Sequence, residues 1–304
     1  MDKWAELRTA YQVAKLGTVS GAAQSLGLHR ATVNRHIDVL EQEIGARIFL
    51  RHARGYSLTE LGEETLRVAQ KTEELFNDLA GRARGLNARA EGEIKLSVLP
   101  LFSGLVMGAI SRFRADNPGC RVVIMASEDL AKLEYGEAHI ALRAGPEPDH
   151  PDYVVQLFRR FSLNLYAHDR YIARKGMPLG KADLRRHEFV GPPTANPRTP
   201  FAAWFAEHVH PSQIAIATTD MDVARDSVFS GLGLGFLSDM DVDCRTDVHP
   251  VLPHDQAIPV SIWMVTHVDL HRIQKLQLML ACLKTAATGN GAEKWIKAFV
   301  HPDG

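Results

Sequence analysis

Apolar residues recur along the chain at two different spacings, and the change from one to the other divides it. Near the start, Val33, Ile37, Leu40 and Ile44 follow one another at steps of four, three and four, which sets them on one stripe of a helix. A shorter helix precedes this one over residues 21–26, with Ser20 as its N-cap. Gly27 supplies the left-handed turn between the two. The stretch "RIFLRHARGYSLT" then reads as two short strands around a basic turn, and Thr59 caps a new helix. From residue 60 to 91 the pattern stays helical and free of proline. Leu61, Thr65, Val68, Thr72, Leu75, Leu79, Arg82 and Leu86 form one stripe; Leu66, Ala69, Phe76, Ala80 and Ala83 form another beside it. Two stripes exceed what packing within one chain requires, so one is expected to meet a second copy.

Beyond Gly92 the pattern alternates. Strands are expected at "EIKLSV", "RVVIMA" and "HIALRA", and helices at "SGLVMGAISRFRAD", capped by Ser103, and "EDLAKLEYG". A long strand, "YVVQLFRRFSLNLYAH", leads to a second round of alternation. The expectation is two α/β lobes of similar size, built on parallel sheet with helices on both faces. "VSIWMVTH" and "RIQKLQLMLACLKTAA" close this part, and "TGNGAEKWIKAFVHPDG" reads as an appended tail.

The second helix has a distinctive outer side. At about 100° per residue, Arg35 falls opposite the apolar stripe, with Ala31 beside it and Thr32 and Asn34 on its flanks. Arginine can bridge guanine, asparagine can bridge adenine, and a methyl-bearing side chain can meet thymine. Together with a hairpin tipped by Arg51, His52 and Arg54, this is the logic of a winged helix-turn-helix set against double-stranded DNA. Asp38 would repel phosphate unless paired, and Arg35, one turn earlier, is a partner within reach.

Charge supports a contact at one end. Residues 1–59 hold eight Lys/Arg and five Asp/Glu, whereas the whole 304-residue chain has a net charge of −1, so a basic head precedes an acidic body. Three separated cysteines, Cys120, Cys244 and Cys282, fit a reducing cytoplasm and no disulfide framework. No apolar run reaches the roughly 18–20 residues that span a bilayer, so no membrane partner is expected.

The segment from Leu7 to Gly62 resembles the DNA-binding domain of LysR-type transcriptional regulators. The resemblance rests on "GTVSGAAQSLGLHRATVNRHIDVLEQEIGARIFLRHARGYSLTELG", and continues more loosely through "GEIKLSV", "FRADNPGCRV" and "GEAHIALRAGP". It implies an α+β multidomain chain: a winged helix-turn-helix over 1–59, a linker and dimerisation helix over 60–91, a two-lobed, periplasmic-binding-protein-like effector domain over 92–287, and a tail over 288–304. It further implies a homodimer through the linker helix, a homotetramer of two such dimers, and DNA contacts from Ser20, His29, Arg30, Thr32, Asn34, Arg35, Arg51 and Arg54. The family usually opens its recognition helix with serine or threonine, glutamine and often proline. This chain has His29-Arg30-Ala31, so its target sequence is expected to differ.

In open α/β sheets ligands bind outside the carboxyl ends of the strands. By resemblance, Leu99, Pro100, Leu101, Phe102, Ser103, Ser127, Arg143, Thr194, Thr219 and Ser238 correspond to cleft-lining positions for a small-molecule effector. Ser103, Ser127 and Thr219–Asp220 are expected at helix N-termini, where free N–H groups favour a carboxylate or other small anion; each serine could equally be only a helix cap. Arg143 could anchor a carboxylate, or pair with Glu128 or Asp129. Those acids, with Asp220, argue against a highly charged ligand.

Catalytic and cofactor motifs are missing. No GxSxG, HExxH or P-loop occurs, so no enzyme is expected. The run Gly231–Gly235 has the wrong spacing for a dinucleotide and reads as the end of a helix entering a buried strand. His208 and His210 have no third ligand nearby, so no metal or cofactor is expected. A solute-binding module with no DNA role is the rival reading; such a module needs neither wing nor recognition helix.

Overall fold

The computed structural model describes residues 3–52, 55–83, 90–193, 199–253 and 256–288. Three helices open the chain: α1 (Trp4–Leu16), α2 (Val19–Leu26) and α3 (Arg30–Ile44). A two-stranded antiparallel hairpin follows, β1 (Phe49–His52) and β2 (Gly55–Leu58), in register Phe49 to Leu58. Val33, Ile37 and Leu40 are fully buried, and their stripe joins Leu7, Val13, Ala22, Ala23, Ile48 and Phe49 in one core. Each large aliphatic chain so buried contributes about 1.5–3 kcal/mol. Gly27, at φ +65, ends α2 in the left-handed conformation, and its N–H reaches the carbonyls of Ala23 and Gln24.

The cap of α2 is not Ser20. Thr18 precedes the helix in extended conformation and its Oγ1 accepts from the Gly21 N–H at 3.1 Å; Ser20 lies inside the helix and is exposed. Two hydroxyls stood two residues apart, and the helix starts at the earlier one. Thr59 does cap α4 (Glu60–Ala83): Oγ1 accepts from Gly62 N–H at 3.0 Å and donates to the Arg47 carbonyl at 2.8 Å. Gly62 is a site of close approach, because a Cβ there would stand 2.0 Å from the Ile48 carbonyl oxygen. Ala90 and Glu91, expected in this helix, lie outside it and lead into a strand. The Ala90 N–H donates to Asn117 Oδ1 at 2.8 Å instead.

The remaining elements are β3 (Gly92–Val98), α5 (Ser103–Asp116), β4 (Cys120–Ala126), β5 (Ile140–Ala144), β6 (Tyr153–His168), α6 (Asp169–Lys175), β7 (Phe189–Gly191), α7 (Ala202–His208), β8 (Ile214–Ala217), α8 (Met221–Phe229), β9 (Gly235–Ser238), α9 (Asp239–Val242), β10 (Val248–Pro250), β11 (Ile258–His267), α10 (Val268–His271) and α11 (Gln274–Thr288). β4, β3 and β5 are parallel neighbours. The sheet then departs from the all-parallel expectation: β11 pairs antiparallel to both β5 and β6, and β9 and β10 pair antiparallel to β6. A second parallel pair, β7 and β8, joins through a bridge from Phe189 to Leu234. The alternating sequence pattern could not reveal this, since a long strand reads the same in either direction.

The first part of β6, from Tyr153 to Leu163, pairs with β11, and its last six residues pair with β9 and β10. Both halves of the α/β region therefore share one continuous strand. α11 packs on α5, and a single apolar core runs from Ile94, Leu96 and Phe113 to Phe189, Phe205 and Phe236. Two expected helices are altered. "EDLAKLEYG" forms only a short 3-10 turn at Leu133–Tyr135, and α5 starts at Ser103 without a side-chain cap, after a 3-10 turn over Pro100–Phe102.

Candidate nucleic-acid interface and effector region

The outer side of α3 carries the side chains needed for a duplex. Arg30 and Arg35 are exposed, and among the described residues neither has an ion-pair partner. Thr32 and Asn34 are half-buried on the flanks. His29 occupies the N-cap in extended conformation but makes no side-chain cap bond; its carbonyl accepts from the N–H groups of Thr32 and Val33. The first turn of α3 thus keeps unsatisfied N–H groups beside Arg30, a setting that suits a phosphate.

The hairpin is tied to this helix through side chains. Glu41 Oε1 accepts from Ile48 N–H at 2.9 Å and Phe49 N–H at 3.1 Å, holding the entry to β1. Asp38 pairs with Arg51 on β1 and not with Arg35. Arg35 lies one turn earlier on α3, but the hairpin brings Arg51 across to Asp38 instead, which leaves Arg35 without an ion-pair partner among the described residues. Arg51 also lies over the Tyr56 ring at 5.7 Å, and the Tyr56 hydroxyl donates to Asn34 Oδ1 at 3.2 Å. Sequence reasoning missed Tyr56; its one signal was an aromatic residue facing Arg51 across a two-stranded turn. His52 Nε2 lies 2.9 Å from Ser57 Oγ. Arg54 falls outside the described residues.

α4 divides its apolar residues. Leu66 and Ala69 pack into the N-terminal core, whereas Val68, Leu75, Phe76 and Leu79 stay exposed, Phe76 to 62%. On an adjoining side, α4 meets the α/β region. Glu74 accepts from His139, Lys71 pairs with Asp269, and Arg67 lies 4.5 Å from the Tyr135 ring centroid.

Leu99, Ser127 and Arg143 come together at the carboxyl ends of three adjacent parallel strands. Val98 and Ala126 are in register, and the Ser127 N–H donates to the Val98 carbonyl. Leu99 and Leu101 are half-buried and Pro100 is exposed. Phe102 is buried to 1% and packs edge-on against Phe161, which makes it core. No helix starts at Ser127; its Oγ accepts from Asp129 N–H at 3.0 Å. Arg143 pairs with neither Glu128 nor Asp129. It donates through Nη2 to the Ala131 carbonyl at 2.6 Å and faces the Tyr153 ring, and its buried Nε has no partner. Tyr153 in turn donates to Glu134 at 2.6 Å; burial alone would raise that carboxyl, but the Tyr153 hydrogen bond keeps it below the usual range.

From the other half, Thr219 is exposed in the turn after β8, and Asp220 rather than Thr219 caps α8 by accepting from Asp222 and Val223 N–H. Ser238 is buried to 1%, donates to Asp241 Oδ2 at 2.6 Å and caps α9. Thr194 falls outside the described residues. The two histidines weighed as metal ligands have separate partners. His208 Nδ1 lies 3.0 Å from the Trp204 carbonyl and its ring stacks on that indole, while His210 caps a turn through Ser212. Gly231 follows α8 and Gly235 opens the buried strand β9. Burial pushes the Cys120 thiol up, as for an inert core cysteine.

Two family descriptions match: the LysR substrate binding domain over residues 87–288, and the bacterial regulatory helix-turn-helix protein of the lysR family over residues 4–63. The HTH-type transcriptional regulator CrgA of Neisseria meningitidis serogroup C is 27% identical over 242 residues, covering 78% of this chain and 80% of that protein. Among solved structures, full-length LysG from Corynebacterium glutamicum with bound effector Arg superposes with a TM-score of 0.65 at 16% identity, covering 94% of this chain and 98% of that one. Full-length CbnR complexed with its target DNA gives 0.55 at 20% identity, covering 94% and 100%.

Proposed function

Because the chain belongs to the LysR family of bacterial regulatory helix-turn-helix proteins, joining that DNA-binding domain to a substrate-binding domain, we propose how its residues divide the work of a transcriptional regulator. Arg35 reads bases from the exposed side of α3, with Thr32 and Asn34 beside it, His29 borders the bases at the head of that helix, and Arg30 and Ser20 meet the backbone near the helix starts. Arg51 gives one of its five donors to Asp38 and keeps others for phosphate, and Arg54, by resemblance to the family, is assigned to the DNA contact as well. The observation that carries this reading is that Arg30 and Arg35 are exposed on one helix with no ion-pair partner among the described residues. CbnR, of like fold, is described in complex with its target DNA, which supports the same docking here.

The exposed apolar residues of α4 form the contact with a second copy, and two dimers associate into a tetramer. Two recognition helices then address two half-sites. The effector is a small molecule bearing one carboxylate or comparable anion, held at the strand ends near Leu99, Ser127 and Arg143. LysG, described with bound effector Arg, supports a small ligand in this domain. The protein acts in the cytoplasm and binds its ligand without converting it, so the ligand is recovered unchanged. Binding alters how the copies pack, and so the spacing or bend imposed on DNA.

An electrophoretic mobility assay tests the reading. The full chain is offered duplexes selected from a random pool alongside scrambled ones, across a salt series. A salt-dependent complex that prefers the selected site is expected. A chain that shifts neither duplex is a solute-binding module alone.

A further inference from the structure

Asn34 and Asp38 stand one helical turn apart on α3, and Tyr56 and Arg51 face each other directly across β1 and β2. The two pairs join corner to corner. Asn34 Oδ1 accepts from the Tyr56 hydroxyl at 3.2 Å, Asp38 pairs with Arg51, and the Arg51 guanidinium covers the Tyr56 ring at 5.7 Å. The fourth edge is the helix itself. Tyr56 is held from behind as well, since its ring packs edge-on against buried Phe49 at 5.5 Å and 83°.

We propose that Tyr56 is a positioning residue that fixes the Asn34 amide for base reading. This rests on the assignment of α3 as the recognition helix. An asparagine amide has an accepting end and a donating end, and its orientation is free unless something engages one of them. Tyr56 engages the oxygen. The NH₂ is then the end left to meet a base, and among the described residues it has no protein partner. In the major groove the acceptors that would receive it are purine N7, guanine O6 and thymine O4, whereas cytosine presents only a donor. The base pair under Asn34 is therefore selected for an acceptor on the strand it faces, and cytosine there is disfavoured. An unanchored asparagine could turn its oxygen to cytosine and would lose that discrimination. Tyr56 contributes this without touching DNA.

The test compares wild type, Tyr56→Phe, Asn34→Ala and the double variant by selection from random duplexes, with affinities for the selected site and for scrambled DNA. Tyr56→Phe keeps the ring packing on Phe49, and its melting temperature reports whether the domain stays folded. One hydrogen bond corresponds to roughly a three- to tenfold loss of affinity for the selected site, and scrambled DNA should bind as before. Cytosine should become tolerated at the one position that Asn34→Ala also blurs, and the double variant should be no worse than Asn34→Ala. The proposal is overturned if Tyr56→Phe leaves that position sharp, if it weakens all DNA equally, or if the two losses multiply. It is equally overturned if Asn34→Ala blurs no position while wild type still selects a site, a result that leaves DNA recognition through Arg35 standing. A wild-type chain that selects no site at all removes the recognition-helix assignment itself.

Discussion

His139 Nε2 lies 2.8 Å from Glu74 Oε1, joining α4 to the start of β5 through two buried side chains. The other ring nitrogen, Nδ1, accepts from the Lys95 N–H at 2.9 Å. The ring proton therefore sits on Nε2 and points at the carboxylate. Burial alone would raise the Glu74 carboxyl, but the His139 hydrogen bond and the nearby Lys275 charge hold it below its ordinary value. A carboxylate depressed in the folded state contributes stability above its unfolded pKa of about 4.3, and that stability is lost as pH falls through the lower folded value. Chemical denaturation from pH 6 down to pH 3 should therefore show a steeper loss for wild type than for Glu74→Gln. His139→Ala leaves the buried carboxylate with only the longer bond from Gln70 Nε2 at 3.3 Å and the Lys95 N–H without its acceptor, and should cost about 1–3 kcal/mol at neutral pH. Matching acid profiles for wild type and Glu74→Gln would show that this pair is not what acid attacks.

Arg35 and Arg30 separate two kinds of DNA contact. Arg35→Ala should lower affinity for a selected site by about 1–3 kcal/mol and relax preference at one position. Arg30→Ala should weaken selected and scrambled duplexes alike and reduce the salt slope by about one. Fluorescence anisotropy titrations at several salt concentrations distinguish the two. Uniform loss for Arg35→Ala would reassign it to the backbone.

Gly62 tests the junction between hairpin and α4. A methyl group 2.0 Å from the Ile48 carbonyl must displace backbone, so Gly62→Ala should fall at or beyond the top of the ~1–3 kcal/mol range for overpacking. A lowered thermal midpoint checks this. An unchanged midpoint would mean that β1 yields there at little cost.

Arg143 tests the ligand. Small monocarboxylates at about a hundred times their dissociation constant should stabilise the folded chain by about 2.7 kcal/mol. Arg143→Ala should abolish the thermal shift while leaving binding to DNA intact. Shifts that persist in the variant would move the anion away from the ends of β3, β4 and β5.

The N-terminal elements were legible because each follows from local physics. The stripe from Val33 to Ile44, the glycine at position 27 and the hydroxyl at Thr59 each select a single conformation. The cap at Thr18 was missed only because two hydroxyls competed for one role. The exposed face of Arg35 followed from helical periodicity alone, whereas Arg30 entered only through the family resemblance. Partnerships were less legible. Asp38 with Arg51, Asn34 with Tyr56 and Glu74 with His139 span 13, 22 and 65 residues, and only the fold determines which of several reachable partners wins. The α/β region read well as strands and helices and poorly as pairing, because direction is set by long connections. Ser238 and Phe102 show the same limit: a serine and a phenylalanine beside strand ends read as lining, yet one caps α9 and the other fills the core.

β6 runs unbroken through both halves of the α/β region. Rotation of one half against the other cannot be taken up in a slack tether at that strand. It has to be absorbed in the strand itself, and the ladder with β11 already departs from regular pairing at the register shift between Ile262 and Trp263. Any relative twist of the two halves therefore works against the backbone ladders that β6 makes with β11 along its first part and with β9 and β10 along its end.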